Sequence, residues 1–102
     1  MTRESEIEKY LVRRAKELGG EVRKVQWIGR RGAPDRLVML PSKVVQDGGN
    51  VFIYDGATIW IELKAPGEKT KPHQAREHER MRAMGQRVEV VDSFERVEEV
   101  LQ

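Results

Sequence analysis

The chain has 102 residues, of which 38% are apolar and 35% charged, with a formal net charge of +2 and no cysteine. This length favours a single domain over residues 1–102, and the lack of cysteine excludes disulfides and thiolate metal sites. No apolar run approaches the roughly 20 residues of a membrane span, so a soluble cytoplasmic protein is expected. So small a domain buries a modest core, which favours a homodimer.

Charge is distributed unevenly along the chain. Residues 89–102 carry five acidic side chains and one basic side chain, whereas residues 1–88 have a net charge of +6. A basic body with an acidic end suits a polyanion such as nucleic acid, although an ordinary solvated surface explains the same balance about as well.

The first half of the chain predicts a helix followed by strands. Apolar side chains recur at helical spacing over residues 3–18, and Gly19 and Gly20 end this helix because glycine adopts the left-handed C-cap conformation without strain. Residues 21–28 and 36–40 are predicted strands, and the glycine-rich segment between them is a predicted loop.

The second half predicts a further hairpin and a strand between two helices. The segment 47–50, Asp-Gly-Gly-Asn, is a strong turn signal and predicts an extra or elongated hairpin within residues 42–57. The remaining elements are predicted as a strand, a helix, a strand and a short helix over residues 58–64, 72–84, 87–91 and 94–101. This order predicts an α/β domain with a central mixed sheet flanked by helices.

Three charged side chains stand at positions where strands are predicted. Asp35 follows Pro34 at the start of one strand, and Glu62 and Lys64 lie on a later strand. Residues i and i+2 of a strand project from the same face, so Glu62 and Lys64 project together and Leu63 projects oppositely. Pairing of the two strands would bring both carboxylates and the amine to one point.

Such a cluster suits phosphodiester hydrolysis. Two carboxylates, a backbone carbonyl and waters form a hard oxygen site for Mg²⁺, which polarises a phosphate oxygen and acidifies a water. Lys64 would orient or deprotonate that water, or stabilise the pentacovalent phosphate. Singly, Asp35 is explained as a turn residue, and Glu62 with Lys64 as a solvated strand face. Their combination in this order favours the catalytic interpretation.

Residues 32–36, Gly-Ala-Pro-Asp-Arg, and residues 61–64, Ile-Glu-Leu-Lys, resemble the PD-(D/E)xK nuclease superfamily. More narrowly, the chain resembles stand-alone VRR-NUC (virus-type replication-repair nuclease) domains, which are often found in phages. The resemblance spans nearly the whole chain, including the opening helix and its glycine stop. It implies a restriction-endonuclease-like fold and hydrolysis of DNA with Mg²⁺, for which Mn²⁺ would substitute. A phage-encoded copy would act in the host cytoplasm.

The resemblance also implies roles for individual residues. Asp35 and Glu62 would ligate the metal, and the backbone carbonyl of Leu63 would complete the protein ligands. Lys64 would be the catalytic lysine. Gln74 matches a glutamine of the helix after the motif, where it would face the site; otherwise it is an ordinary polar helix residue.

A glutamate of the first helix often joins the site in this family. Glu4, Glu6 and Glu8 are the candidates, and we favour Glu8 because it follows the apolar Ile7 and lies well inside the helix. The spacing of Ser5 and Glu8 also fits a capping box, in which Glu8 would only satisfy a backbone N–H.

Basic residues on the predicted loops are candidates for contacting DNA phosphates. Arg30 and Arg31 precede Asp35, and Lys69 and Lys71 follow the second motif, although loop cations also occur for solubility. The two histidines are too few for a zinc site. His73 is expected near DNA and His78 at the buried margin of its helix, neither with a catalytic role.

Small stand-alone members of the family look like resolvases of Holliday junctions or other branched DNA, which implies a homodimeric DNA-repair endonuclease. A flap, nicking or restriction-type endonuclease is the alternative within the enzyme class. A DNA-binding module that does not cut is the alternative outside it. The family usually joins the motif strands by a short turn, whereas residues 41–57 are longer here and leave the strand pairing open.

Overall fold

This computed structural model describes residues 2–102 of the chain, which form three helices and six strands. In chain order they are α1 (Glu4–Glu17), β1 (Glu21–Lys24), β2 (Arg36–Leu40), β3 (Lys43–Asp47), β4 (Asn50–Tyr54), β5 (Ala57–Leu63), α2 (Pro72–Ala83), β6 (Val88–Val91) and α3 (Phe94–Leu101). The predicted order of elements is confirmed. Within residues 2–102, no helix has the length and apolar character needed to cross a bilayer.

The first strand is shorter than the sequence predicts. β1 ends at Lys24, whereas the pattern predicts a strand over residues 21–28. Val25 donates one more backbone hydrogen bond, to the carbonyl of Asp35 at 2.9 Å. Beyond this bond the chain leaves the sheet, and the indole of Trp27 instead donates its N–H to the carbonyl of Pro34 at 2.8 Å.

The central sheet has four strands in the order β1-β2-β5-β6. β2 is antiparallel to both β1 and β5, whereas β5 and β6 are parallel. Parallel neighbours need a crossover connection, and α2 provides it between β5 and β6. The predicted mixed sheet with flanking helices is therefore confirmed.

The two faces of the sheet are covered in different ways. Alternate side chains of β5 are buried on the face that α1 and α3 cover. This apolar core consists of Ile7, Leu11, Ala15, Val38, Ile59, Ile61, Leu63, Val91, Val97, Val100 and Leu101. The buried residues of α2 on the other side are Glu77, His78 and Met81, two of which are polar. Burying polar groups is costly, so the α2 side is the place to look for a functional site.

A separate hairpin occupies the long connection between β2 and β5. β3 and β4 pair antiparallel, and Gly48 and Gly49 turn the chain with φ of 56° and 88°. All ten strand residues of this hairpin are exposed. The hairpin joins neither edge of the central sheet, so β2 and β5 pair directly despite the long connection.

Candidate active site

The strand register brings the two sequence motifs together. Arg36 of β2 lies opposite Ile61 of β5, so one step further along the same register Asp35 lies opposite Glu62. The Asp35 side chain is 59% exposed at the end of the sheet, whereas the Glu62 side chain is 13% exposed beneath α2. The pairing of β2 with β5, which the sequence left open, is present in the fold.

Glu62 is a partly buried carboxylate in an acidic setting. Burial raises its pKa to about 7, with further increases from the charges of Asp35 and Glu4 and an opposing effect from Lys64. Among residues 2–102, the nitrogen of His78 is the only Lys, Arg or His side-chain nitrogen within 4 Å of this carboxylate. A carboxylate whose pKa is raised by burial and by neighbouring acidic groups is well suited to bind a cation.

Lys64 is the second buried charge of the site. It is 4% exposed, and its Nζ donates a hydrogen bond to Gln74 Oε1 at 3.0 Å. The same oxygen accepts the backbone N–H of Lys71 at 3.0 Å, which caps the start of α2. The carboxylate of Glu68 lies 3.5 Å from Nζ. The structure thus places Gln74 in the site and ties the orientation of Lys64 to the first turn of α2.

Glu8 approaches the site through an arginine. Arg36 donates to the Glu8 carboxylate from Nε at 2.8 Å and from its Nη2 atom. The other terminal nitrogen of Arg36 lies 3.0 Å from Asp35 Oδ1. Glu8 is therefore held by an ion pair, and it is Glu4 whose charge acts on Glu62.

The structure also decides the two other possibilities for α1, the capping box of Ser5 and Glu8 and a site role for Glu6. The N-cap of α1 is Arg3, without a side-chain cap hydrogen bond, so Ser5 and Glu8 form no capping box. Glu6 lines a different surface, beside Lys9 and Tyr10.

The loop before Asp35 is docked onto α2. Arg30 forms a two-pronged ion pair with Glu77, at 2.9 and 3.0 Å, and the Glu77 side chain is 3% exposed. Gly32 has φ +86°, and a Cβ there would lie 2.9 Å from the carbonyl oxygen of His73. Trp27 donates from its indole N–H to the carbonyl of Pro34 at 2.8 Å. These contacts fix the approach to Asp35 and engage the guanidinium of Arg30.

A cluster of cations surrounds the start of α2. The pKa of His73 is lowered by burial and by the charges of Arg31, Lys71, Arg76 and Lys64, which all lie near it. Arg31, Lys69, Lys71 and Arg76 are exposed. Arg76 is absent from the residues that the sequence predicts to contact DNA, although it lies three residues after His73 on the predicted helix, a spacing that places both on one face.

His78 lies at the bottom of the site. Its burial was predicted and its 1% exposure confirms this, but its imidazole Nε2 stands 3.6 Å from Glu62 Oε1, which was not predicted. Burial lowers the pKa of His78, which favours the neutral ring. His78 lies four positions after Gln74, a spacing that places both side chains on one face of the helix.

The donor set fits a hard divalent cation. Asp35 and Glu62 supply carboxylate oxygens. Because Arg36 lies opposite Ile61, Pro34 falls opposite Leu63, and proline has no N–H that would occupy the Leu63 carbonyl. Within residues 2–102, no group of three or more acidic, histidine or cysteine side chains forms a metal cage. Few protein ligands, completed by water and phosphate oxygens, are typical of Mg²⁺ sites.

Known proteins resemble this chain over most of its length. No family model matches it. "Putative nuclease p44" of Acyrthosiphon pisum secondary endosymbiont phage 1 is 45% identical over 93 residues, which cover 91% of this chain and 86% of that protein. A solved structure described as a VRR_NUC domain is 40% identical, covers 99% of this chain and 96% of its own, and superposes with a TM-score of 0.74. The chain belongs to the VRR_NUC family of nucleases.

Proposed function

We propose that this protein is an endonuclease that hydrolyses DNA phosphodiester bonds with Mg²⁺, or Mn²⁺ in its place. The cation would be held by Asp35, Glu62 and the carbonyl of Leu63. The observation that carries the proposal is Glu62, a partly buried carboxylate opposite a second carboxylate, with no lysine or arginine nitrogen at ion-pair distance among residues 2–102. Such a group is costly to keep ionised unless a cation binds there.

The protein side chains have separate roles in the proposed reaction. When bound, the cation would polarise the phosphate and acidify a water. Lys64, held by Gln74, presents an ammonium where negative charge develops on the phosphorane. Arg36 fixes Asp35 from the side. Glu8 fixes Arg36 and is assigned a positioning role, whereas Glu4 is the residue of α1 assigned to the site itself.

DNA would approach over the cations at the start of α2. Arg31, Lys69 and Lys71 are exposed there, and Arg76 extends the same surface. Arg30 contributes chiefly by holding the loop against Glu77, with its remaining exposed edge available to a phosphate. Such contacts orient the duplex without reading its sequence.

The substrate class that we propose is branched DNA, with the four-way junction as its main member and a role in repair. Cutting two strands symmetrically needs two sites, and one chain of this size carries one. A second copy of the chain would supply the other site. Flap or nicking activity, restriction-type activity and binding without cutting remain the alternatives that the cleavage experiment below separates.

The β3–β4 hairpin supports a homodimer. A lone two-stranded hairpin is marginally stable in water, and this one exposes apolar side chains on both faces. They are Val44, Val45, Val51, Phe52, Ile53 and Tyr54. Lys43 is the single basic residue of the hairpin, so the surface is ill suited to DNA. A cavity of about 220 Å³ at its base offers a complementary recess, lined by apolar residues such as Leu18, Leu40 and Leu101 and also by the charged residues Lys43, Asp55 and Arg87.

Sedimentation equilibrium tests the dimer. Ile53 is 72% exposed, and Ile53→Lys should convert a dimeric protein into a monomer with unchanged circular dichroism. Val12→Lys, at an exposed valine of α1, is the matched control and should leave the dimer intact. A wild-type protein that is monomeric at tens of micromolar would contradict the dimer.

Cleavage of four DNAs tests the function. Linear duplex, single strand, flap and four-way junction would be incubated with Mg²⁺, Mn²⁺ or EDTA. We expect metal-dependent, paired nicks in the junction. Cutting confined to flaps or single strands would retain the nuclease and reject the resolvase, cutting at fixed duplex sequences would indicate a restriction-type enzyme, and tight binding without cutting would indicate the non-catalytic module.

A further inference from the structure

His78 contains a polar atom that the fold leaves without a partner. Its Nε2 is the one buried side-chain nitrogen or oxygen within residues 2–102 that has no hydrogen bond. Leaving such an atom unpaired destabilises the folded state, and unpaired buried groups in folded proteins are few. The carboxylate of Glu62, 3.6 Å away, is the acidic group that faces it.

The distance between Gln74 and His78 along the axis of α2 matches the distance between Glu62 and Lys64 along β5. Gln74 and His78 are four residues apart on a helix, which is about 6 Å along its axis. Glu62 and Lys64 are two residues apart on a strand, which is about 6.6 Å. Gln74 contacts Lys64 at 3.0 Å and His78 faces Glu62 at 3.6 Å, so each helix residue addresses one residue of the motif.

We propose that His78 is a positioning residue for Glu62. When the Glu62 carboxylate turns toward the cation, it accepts a hydrogen bond that His78 donates from Nε2. The gap of 3.6 Å lies just beyond hydrogen-bonding distance, and a movement of about half an ångström closes it. This role rests on the proposed cation site. His78 would act on the metal through Glu62, as imidazoles and carboxylates behind metal ligands commonly do.

Simple space filling is the competing explanation. The neighbouring buried position one turn along the same face, Met81, is apolar and fills its space without a polar atom. A leucine or methionine at position 78 would do the same without leaving a nitrogen unpaired. The presence of an imidazole directed at the carboxylate therefore points to a hydrogen-bonding role.

Three substitutions separate the two explanations. His78→Gln carries an amide N–H close to the position of Nε2, whereas His78→Asn carries the same amide about one methylene short of it. His78→Leu fills the space without a donor. Calorimetric titration of each full-length variant with Mn²⁺ gives the affinity directly, and thermal unfolding in EDTA reports folding without the metal.

We expect His78→Leu and His78→Asn to bind Mn²⁺ about 10- to 100-fold more weakly than wild type, with His78→Gln recovering most of the loss. His78→Leu should unfold in EDTA at the wild-type temperature or above, because it removes the unpaired nitrogen. If His78→Leu does not fold, the comparison of His78→Asn with His78→Gln carries the test alone.

Two results would overturn the inference in different ways. Wild-type Mn²⁺ affinity in His78→Leu, or equal affinities in the Asn and Gln variants, would reject the role of His78 and leave the cation site intact. Failure of the wild-type protein to bind Mn²⁺, with Asp35→Asn behaving identically, would reject the proposed cation site and the role of His78 together.

Discussion

Gln74 Oε1 accepts hydrogen bonds from both the Lys64 ammonium and the Lys71 backbone N–H, each at 3.0 Å. One side-chain atom thereby caps α2 and orients the lysine of the motif. Gln74→Leu should reduce single-turnover cleavage by about 10- to 100-fold, since an unanchored lysine loses its alignment. DNA affinity in EDTA should change little. Unaltered cleavage by a folded Gln74→Leu protein would show that the contact is incidental.

Lys64 itself should be needed for chemistry and dispensable for the fold. Lys64→Met retains the apolar stem, removes the ammonium and should lower the cleavage rate by about 10²–10⁴-fold. Mn²⁺ titration should still show binding, because the proposed ligands remain. Lys69→Met, at an exposed lysine of the next loop, is the control, with its loss confined to DNA affinity. Comparable cutting by Lys64→Met would contradict the mechanism.

The ionised carboxylate of Glu62 should destabilise the metal-free protein at alkaline pH. Its folded pKa of about 7 lies above its ordinary value of 4.5, so the folded state holds a proton that the unfolded chain releases between these pH values. Above pH 7 the ionised form opposes folding by on the order of 3 kcal/mol. Glu62→Gln should therefore raise the melting temperature in EDTA by several degrees at pH 8 and by little below pH 4.5. Equal effects at pH 8 and pH 4 would refute this coupling.

Glu98 should contribute stability of the opposite pH dependence. Hydrogen bonds from Arg14 and Tyr10 lower its pKa to about 2 from an ordinary value of 4.5. The ionised form therefore stabilises the contact of α3 with α1 above pH 4.5, and this contribution disappears as the pH falls toward 2. Glu98→Gln should lower the melting temperature at pH 7, with the difference from wild type shrinking through that interval. Glu95→Gln, exposed on the same helix, should have little effect at either pH.

Arg30 and Arg31 are adjacent in sequence and should behave differently. Arg31→Ala should weaken DNA binding and reduce the slope of log affinity against log salt by about 1, as expected for one phosphate contact. Arg30→Ala should mainly destabilise the fold, because the buried Glu77 loses one of its two arginine partners and retains Arg80. Binding titrations at several salt concentrations, with thermal unfolding of both variants, distinguish the roles. Identical salt slopes for wild type and Arg31→Ala would contradict the proposed surface.

Most of the fold could be predicted because local signals agree with the tertiary structure. The glycine stop after α1, the turn at Gly48 and Gly49 and the alternation of β5 each follow from backbone or packing rules that act over a few residues. The end of β1 at Lys24 could not be predicted locally, since it depends on where the pairing with β2 stops. Whether the hairpin interrupts the motif strands also depends on long-range pairing.

The proposed site was predictable in part for the same reason. Asp35, Glu62 and Lys64 are marked by strand periodicity and motif spacing. Glu8 was favoured as a site residue from its depth in the helix, yet the sequence contains no signal that Arg36 would engage it. The sequence predicts His78 only as a buried residue of the helix, because its relation to Glu62 exists only once α2 packs across β5.

The most direct test of the central claim is cleavage of a four-way DNA junction by the wild-type protein and by Asp35→Asn, each with Mg²⁺, with Mn²⁺ and with EDTA. We predict cutting by the wild-type protein with either cation, none in EDTA, and none by Asp35→Asn under any condition. Cutting in EDTA, or equal cutting by Asp35→Asn, would contradict a cation-dependent site built on Asp35 and Glu62.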